Sequence, residues 1–181
     1  MDHDLKTPSP WVVRWAPLIP KGEVLDLACG SGRHARYFSA LDHAVVALDR
    51  DAAVLEALRD VPRIEPLQAD LEGEAPWPLA GRRFAGIVVT NYLHRPLFPR
   101  LLESLAEGGA LIYETFARGN ERFGRPSNPA FLLNPGELLE VFGGVLSVVA
   151  FEQGIVTQPK RAAIQRLCAL RAEAAEAALE P

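Results

Sequence analysis

A chain of 181 residues has the length of one domain that can bury a substantial core. Its hydrophobic content of 49% and charged content of 23% exclude a disordered chain, and its formal net charge of -4 excludes general electrostatic attraction to nucleic acid. No leader pattern or membrane-length apolar run occurs, so we expect a cytoplasmic protein without a membrane partner. The cysteines and histidines show no spacing typical of a metal site, so no metal is expected.

Residues 1–22 are rich in Pro and Trp and are interpreted as an N-terminal arm with at most a short helix near residues 11–15. We expect this arm to lie over the active site, where Trp11 contacts a substrate or pins the arm to the core. The domain itself is expected at residues 23–172, and residues 173–181 form a solvated Ala/Glu tail.

The most informative stretch is VLDLACGSG at residues 24–32. Its apolar residues fit a strand covered on both faces, and Gly30 and Gly32 let the backbone bend and approach a ligand. The helix predicted from Arg33 to about Leu41 points unpaired N–H groups into the same space. A second apolar run ends at Asp49, where an acid is placed to bind both hydroxyls of a ribose. The sequence therefore predicts a nucleoside-binding half-fold.

Strands and helices alternate along the remaining chain. Strands are predicted near residues 44–48, 64–67, 84–90 and 110–115. Helices are predicted from two apolar stripes, Val54/Ala57/Leu58/Val61 and Phe98/Leu101/Leu102/Leu105, with Gly108 and Gly109 ending the second. A long polar loop at 116–133 precedes a helix opened by Asn134 as a side-chain cap. Residues 146–151 and 162–170 fit strands, although the second run also fits a helix. This alternation predicts an α/β, doubly wound, mostly parallel sheet with helices on both faces.

Three segments resemble the class I S-adenosylmethionine-dependent methyltransferases. LDLACGSGR at 25–33 resembles their first motif, VALDRD at 46–51 their second, and LQADL at 67–71 the segment that touches adenine. The similarity extends from about residue 11 to about residue 172, and the Cys-Gly-x-Gly-Arg form resembles the small tellurite-resistance-type methyltransferases. The resemblance implies a Rossmann-like, seven-stranded sheet with a terminal antiparallel strand pair, and S-adenosyl-L-methionine as cofactor.

Residues 30–35 also fit the G-x-G-x-x-G/A fingerprint of dinucleotide enzymes. Asp26 argues against that interpretation, because its charge lies ahead of the glycines and would repel a pyrophosphate. A methionine amino group would instead be attracted to it. The chain is also expected to be too short for a separate substrate domain, which favours a methyltransferase over a dehydrogenase.

The resemblance assigns cofactor residues one by one. Asp26 would accept from the methionine ammonium, or cap the turn. Asp49 would bind the ribose diol and leave helix capping to Asp51. Asp70 would accept from the adenine amino group, with Leu71 donating its N–H to the ring, or it would close a loop. The remaining cofactor residues are Ala28, Cys29, Gly30, Ser31, Gly32, Arg50 and Asn91, with Cys29 a small residue against the ligand.

Methyl transfer needs a nucleophile held on the axis of the sulfonium, excluded water and sometimes a base. Residues 90–94 are expected to leave the fourth strand into the cleft. Tyr92 would line the sulfonium with its ring, or be a core aromatic. His94 is the catalytic base candidate because imidazole titrates near neutrality, with structural hydrogen bonding as its alternative.

Substrate-binding residues are predicted in the arm, at the start of the first helix and in the polar loop. They are Trp11, Arg33, Glu114, Arg118 and Arg125, joined in the loop by Arg122, and the arginines would suit an anionic acceptor or pair with nearby glutamates. We expect residues 116–128 to be a mobile, ligand-contacting segment. A small-molecule acceptor is favoured, with a protein or RNA acceptor, or a non-catalytic cofactor-binding protein, as alternatives. The sequence does not predict the oligomeric state.

Overall fold

The computed structural model describes residues 7–171 of the chain. In chain order its elements are α1 (Pro10–Trp15), β1 (Val24–Leu27), α2 (Arg33–Ala40), β2 (Val45–Asp49), α3 (Ala52–Glu56), β3 (Ile64–Gln68), β4 (Phe84–Thr90), α4 (Phe98–Ser104), β5 (Leu105–Phe116), α5 (Glu137–Phe142), β6 (Ser147–Val156) and β7 (Ala162–Leu170). Short 3-10 turns lie at Ala16–Leu18, Arg95–Leu97, Asn120–Arg122 and Pro129–Phe131. The predicted tail at 173–181 and the first six residues of the arm lie outside the described residues.

The strands form one seven-stranded sheet in the order β3-β2-β1-β4-β5-β7-β6. The first five strands are parallel, and β7 pairs antiparallel with both β5 and β6. The predicted α/β fold, with its mostly parallel sheet and terminal antiparallel pair, is confirmed. The order in which strands are added to the sheet switches from one side of β1 to the other between β3 and β4. In such sheets ligands bind in the crevice at the carboxyl ends of the two strands at this switch point, here β1 and β4.

Each face of the sheet has its own hydrophobic core, because β1 and β4 are buried along their whole length. Leu25 and Leu27 of β1 contribute to the core that also contains Phe98 of α4 and Phe142 of α5. Val24 contributes to the opposite core, which is covered by α1, α2 and α3. Helices on both faces explain why strand residues pointing in either direction are apolar.

Helix α3 is shorter than the apolar stripe at residues 54–61 predicted. It ends at Glu56, and the chain continues in tighter turns such as the bond from the Leu58 N–H to the Leu55 carbonyl. Leu55 and Leu58 are buried, whereas Ala57 is exposed. Leu58 packs against Gly32 of the glycine turn, and Val54 and Val61 also pack on this core, so of the predicted stripe only Ala57 does not face it. Leu41 of the first predicted helix is also 48% exposed, because α2 ends one residue before it.

The fifth strand begins earlier than predicted. Leu105 is the first residue of β5, and Gly108 and Gly109 lie within this strand instead of ending a helix. Leu105 pairs with Phe84, while Ala110 pairs with Gly86, so the extra residues of β5 form a bulge. Leu105 is buried as a strand residue, just as the last residue of the predicted helical stripe would be, so its apolar character did not distinguish a helix from a strand.

The fifth helix begins at Glu137, not directly after Asn134 as the capping pattern predicted. Gly136 precedes it with a φ of 74° and gives no side-chain cap. The Glu137 carboxylate nevertheless accepts from the Asn134 N–H at 2.7 Å, which is the reciprocal half of the expected cap.

Candidate active site

A cavity of about 340 Å³ opens at the carboxyl ends of β1 to β4. Its volume lies within the range of small-molecule sites, roughly 300–1,000 Å³. The structure brings six of the predicted cofactor residues together in its lining: Ala28, Asp49, Arg50, Asp70, Leu71 and Asn91. We call this space the cofactor cavity.

The two glycines of the turn after β1 differ in the space beside them: Gly30 has free space, whereas Gly32 is packed against the protein. Gly30 has a φ of 51°, and a Cβ at this position would have no heavy atom within 4 Å. Gly32 has a φ of 73°, and a Cβ there would lie 2.5 Å from a Leu58 methyl carbon. Ala28 and Asn91 also adopt a left-handed backbone, with φ of 53° and 56°. Strained residues at the ends of two neighbouring strands are typical of a ligand site.

Asp49 is held in place by backbone donors. Its Oδ2 accepts from the Gly30 N–H at 2.8 Å, and its Oδ1 accepts from the Asp51 N–H at 3.0 Å. A carboxylate has about four acceptor positions, so these two bonds orient the group and leave capacity for ribose hydroxyls. Asp51 accepts from the Ala53 N–H at 2.8 Å and is the N-cap of α3, so Asp49 does not cap this helix; its contact with the ribose stays a prediction.

Asp26 lies beneath the turn and does not line the cofactor cavity. It is 1% exposed, and its Oδ2 accepts from the Ala35 N–H in the first turn of α2 at 2.8 Å. Burial raises the pKa of this carboxyl to about 8, with Asp49 adding to the effect and Arg33 opposing it. Asp26 therefore ties β1 to the start of α2; its contact with a methionine ammonium stays a prediction.

The predicted adenine segment forms the far wall of the cofactor cavity. Asp70 accepts from the Glu72 N–H at 3.0 Å, as a loop-closing acid does, and it still lines the cavity. Leu71 beside it is half-buried. Ser31, by contrast, is exposed and does not line the cavity.

The side chains considered for catalysis differ in their positions. Tyr92 is half-buried and lines the cofactor cavity; burial and the nearby Glu72 carboxylate raise its pKa above the usual range, so its hydroxyl stays protonated. His94 lines neither this cavity nor the second one described below. Burial also raises the pKa of the Cys29 thiol, which leaves it unreactive at neutral pH.

A second cavity of about 330 Å³ adjoins the first, and both are lined by Asn91 and Phe116. The arm residues 7–10, β5 and the β6–β7 hairpin build its walls. Three cations, Arg33, Lys160 and Arg166, and one carboxylate, Glu114, line it. We call this space the acceptor cavity.

Glu114 is already committed to partners within the protein. It accepts from the Ser9 hydroxyl at 2.7 Å and lies 3.3 Å from Nη1 of Arg166. Arg166 also pairs with Glu152 at 2.5 Å. The positive charge left facing the acceptor cavity is therefore mainly that of Arg33 and Lys160.

Arg118 and Arg125 do not line either cavity, contrary to the prediction for the polar loop. Both are exposed, and Arg122 lies over the Phe123 ring at 5.3 Å. Both ends of the loop are tied to the domain, for example by the Arg118 N–H on the Leu133 carbonyl, and this directs the arginines outward.

Trp11 pins the arm to the core, which was the second of its two interpretations. Only 2% of it is exposed, its Nε1 donates to the Leu167 carbonyl at 3.3 Å, and the Arg166 guanidinium lies 4.8 Å from its ring centroid. The arm contributes residues 7–10, not Trp11, to the acceptor cavity.

Sequence reasoning missed the residues that attach the arm. Nε2 of His34 accepts from the Ser9 N–H at 3.0 Å, and its Nδ1 lies 3.4 Å from the Thr90 hydroxyl. Burial, together with the charge of Arg33, lowers the pKa of His34 to about 3, so the ring is neutral. The position of His34 beside the glycine motif was a usable signal, whereas nothing near Lys160 or Arg166 in the sequence indicated a site.

We expect the exposed part of the polar loop to be protected by the cofactor. Pro126 and Phe131 line the cofactor cavity, while residues 121–125 contain no buried side chain. Trypsin should cut after Arg122 in the free protein, and saturating S-adenosylhomocysteine should slow this cut by at least about fivefold. Cutting after the remote Lys21 serves as the control and should not change. Equal rates at Arg122 with and without ligand would show that the loop is a fixed wall.

The sheet order, the glycine turn after β1 and the acid that ends β2 define a nucleoside-binding α/β protein. Residues 24–109 match the methyltransferase domain family. The chain is 38% identical over 106 residues to trans-aconitate 2-methyltransferase of Methylobacterium nodulans, which covers 54% of this chain and 40% of the relative. The chain thus spans less than half the length of that relative.

Solved structures share the fold. TehB from Haemophilus influenzae superposes with a TM-score of 0.76 at 18% identity, covering 91% of this chain and 62% of that one. The glycopeptide N-methyltransferase MtfA, complexed with S-adenosylmethionine, gives a TM-score of 0.61 at 20% identity, with 87% and 91% covered. The chain therefore matches a methyltransferase domain over residues 24–109 and shares its fold with these methyltransferase structures, in agreement with the resemblance of its motifs.

Proposed function

We propose that the protein transfers a methyl group from S-adenosylmethionine to a small-molecule acceptor. The observation that carries this proposal is the junction of two cavities of similar size at Asn91 and Phe116. One cavity has the donors and acceptors for an adenosyl group, and the other has room for a compact organic molecule. The similarity to a trans-aconitate methyltransferase supports a small acceptor.

The residues of the cofactor cavity fit S-adenosylmethionine. Asp49 would accept from the ribose hydroxyls, Asp70 and Leu71 would contact the adenine, and the open side of Gly30 would leave room for the methionine portion of the cofactor. When bound, the cofactor supplies an electrophilic methyl group. The protein's part is to orient the two ligands and to exclude water at the junction.

Radiolabelled methyl transfer tests the proposal. The full chain and S-adenosylmethionine labelled in the methyl group would be incubated with the small-molecule, protein and RNA fractions of a bacterial lysate. We expect label in the small-molecule fraction, and about tenfold less with an Asp49→Ala variant when S-adenosylmethionine is below saturation. Label confined to protein or RNA would replace the small acceptor with a macromolecule, and binding without any transfer would indicate a non-catalytic cofactor-binding protein.

Cytoplasmic location remains a prediction from the sequence; within residues 7–171 no helix has the length and apolarity needed to cross a membrane.

We propose that His94 does not remove a proton from the acceptor, and substitution of His94 by alanine tests this. It lies outside both cavities, and its carbonyl accepts from the Leu97 N–H at 3.0 Å in a 3-10 turn. His94→Ala should therefore keep turnover within about twofold, whereas loss of a general base typically costs about 10²–10⁴-fold. A drop of that size, with unchanged cofactor affinity and an identified acceptor, would restore His94 as the base.

A further inference from the structure

We propose that the acceptor cavity binds a small organic acid, and that the atom methylated is a carboxylate oxygen. This inference rests on the proposed function and adds the substrate class and the acceptor atom. Three features carry it: the unbalanced positive charge of the cavity, the mixed polar and apolar lining, and the side chains at the junction with the cofactor cavity.

The first feature is the charge. Arg33 donates Nη1 to the Thr7 carbonyl at 3.2 Å, which uses one of its five N–H groups. The Lys160 ammonium lies 3.5 Å from the Arg125 carbonyl and 5.7 Å from the Phe116 ring centroid, and no carboxylate is paired with it among residues 7–171. Both cations therefore keep donors for an anion, and a guanidinium binds a carboxylate through two parallel bonds.

The second feature is the lining between the cations. Phe116 and Ile164 give the cavity apolar walls, and Pro8 and Pro10 close it from the arm side. This combination suits a short carbon chain that carries carboxylates at its ends. A bare inorganic anion would leave the apolar walls without contacts.

The third feature is the chemistry of the junction. Asn91 and Phe116, which line both cavities, have no side chain that can remove a proton. The Tyr92 hydroxyl stays protonated, and Glu114 is held by Ser9 and Arg166. An alcohol or a protonated amine would need a base, whereas an ionised carboxylate has no proton to lose.

The transfer then balances without any further reactant. A carboxylate oxygen forms a bond to the methyl carbon while the bond between that carbon and the sulfonium sulfur breaks. The electron pair of the broken bond stays on sulfur, which becomes a neutral thioether. The product is a methyl ester, and no proton moves.

The test uses the full chain, labelled S-adenosylmethionine and three acids, succinate, glutarate and adipate, each compared with its neutral diamide. Methyl esters release volatile methanol in alkali, whereas N-methyl and S-methyl products retain the label. We expect base-labile label with at least one acid and none with the diamides. Base-stable label, equal transfer to the diamides, or no transfer to any of the acids would overturn the inference.

A matched pair of variants locates the site. Lys160→Gln should raise the KM for the acid by about fivefold, because an exposed charge-assisted bond is lost, without changing S-adenosylhomocysteine affinity in calorimetry. Lys21→Gln removes the same charge before β1, outside both cavities, and should leave both values unchanged. Calorimetry of the acid with the S-adenosylhomocysteine complex should show the same loss for Lys160→Gln, independent of turnover. Equal values for the two variants would overturn the site.

The two proposals fail in distinguishable ways. If S-adenosylhomocysteine does not bind to the protein, the proposed function fails and the acceptor class falls with it. If it binds and label appears only in base-stable small molecules, the methyltransferase function stands and only the carboxylate acceptor is refuted.

Discussion

Replacing Asp49 with alanine is expected to weaken S-adenosylhomocysteine binding by at least about tenfold, because a hydrogen bond to a charged acceptor contributes about 1.5–3 kcal/mol. The structure adds a second reason for this loss. The Asp49 carboxylate also holds the Gly30 and Asp51 N–H groups at 2.8 and 3.0 Å, so its removal frees the turn that shapes the cavity. Calorimetric titration of the folded variant measures the effect.

Asp51→Ala is the matched control for this substitution. It removes a neighbouring carboxylate that caps α3 through the Ala53 N–H and does not line the cofactor cavity. We expect it to lower the free energy of unfolding by about 1 kcal/mol and to leave the ligand affinity nearly unchanged. If Asp49→Ala binds the ligand as well as Asp51→Ala does, Asp49 is only a structural residue.

The largest loss of stability is expected from Arg95→Ala, at about 2–4 kcal/mol. Arg95 contacts the Glu137 carboxylate through Nε at 2.6 Å and Nη2 at 2.9 Å. It also donates to the Ala130 and Leu132 carbonyls at 2.9 and 3.0 Å. Glu137 is only 8% exposed, so the substitution leaves a buried carboxylate and frees the end of the polar loop. Urea unfolding measures the change.

The effect should also depend on pH. Burial alone would raise the pKa of Glu137, but the Arg95 guanidinium and the Asn134 N–H hold it below the usual value. A carboxyl whose folded pKa is depressed stabilises the protein above its unfolded pKa, and this contribution is lost as the pH falls through the folded pKa. The difference between wild type and Arg95→Ala should therefore be full at pH 7 and shrink in acid.

Arg100→Ala provides the comparison for an exposed ion pair. It removes the 2.8 Å contact to Glu103, in which both side chains are about half exposed. Its expected cost is at most about 0.5 kcal/mol. Equal losses for Arg95→Ala and Arg100→Ala would contradict the structural role assigned to the Arg95–Glu137 pair.

The cofactor side of the site was predictable because its residues lie in short local motifs. The glycine turn follows β1, Asp49 ends β2 and Asp70 follows β3, and parallel strands bring their carboxyl ends to one edge. The apolar stripe placed Val54, Leu58 and Val61 correctly on the core, but it did not show that α3 ends at Glu56. The contact of Leu58 with Gly32 is one that no local pattern contains. The early start of β5 was missed for a similar reason, since pairing between Leu105 and Phe84 overrides the helical stripe.

The acceptor side was less predictable because its residues meet only through long-range pairing. Glu114 faces Arg166 since β5 pairs with β7, and Lys160 reaches the cavity from the turn between β6 and β7. The loop arginines attracted attention by their density in the sequence, yet the anchoring of both loop ends turns Arg118 outward. Arg33, predicted to bind the substrate because it belongs to the glycine motif, lines this cavity, and its contact with a substrate stays a prediction.

The central claim is that the carboxyl edge of the sheet binds an adenosyl group attached to methionine, and calorimetry with two ligands tests it most directly. S-adenosylhomocysteine and NAD would each be titrated into the full chain under the same conditions. We predict one site for S-adenosylhomocysteine and an affinity for NAD at least about tenfold weaker, because three carboxylates (Asp49, Asp70 and Glu72) and only one cation (Arg50) line the cofactor cavity, which disfavours a pyrophosphate. NAD binding as tight as that of S-adenosylhomocysteine would contradict the account.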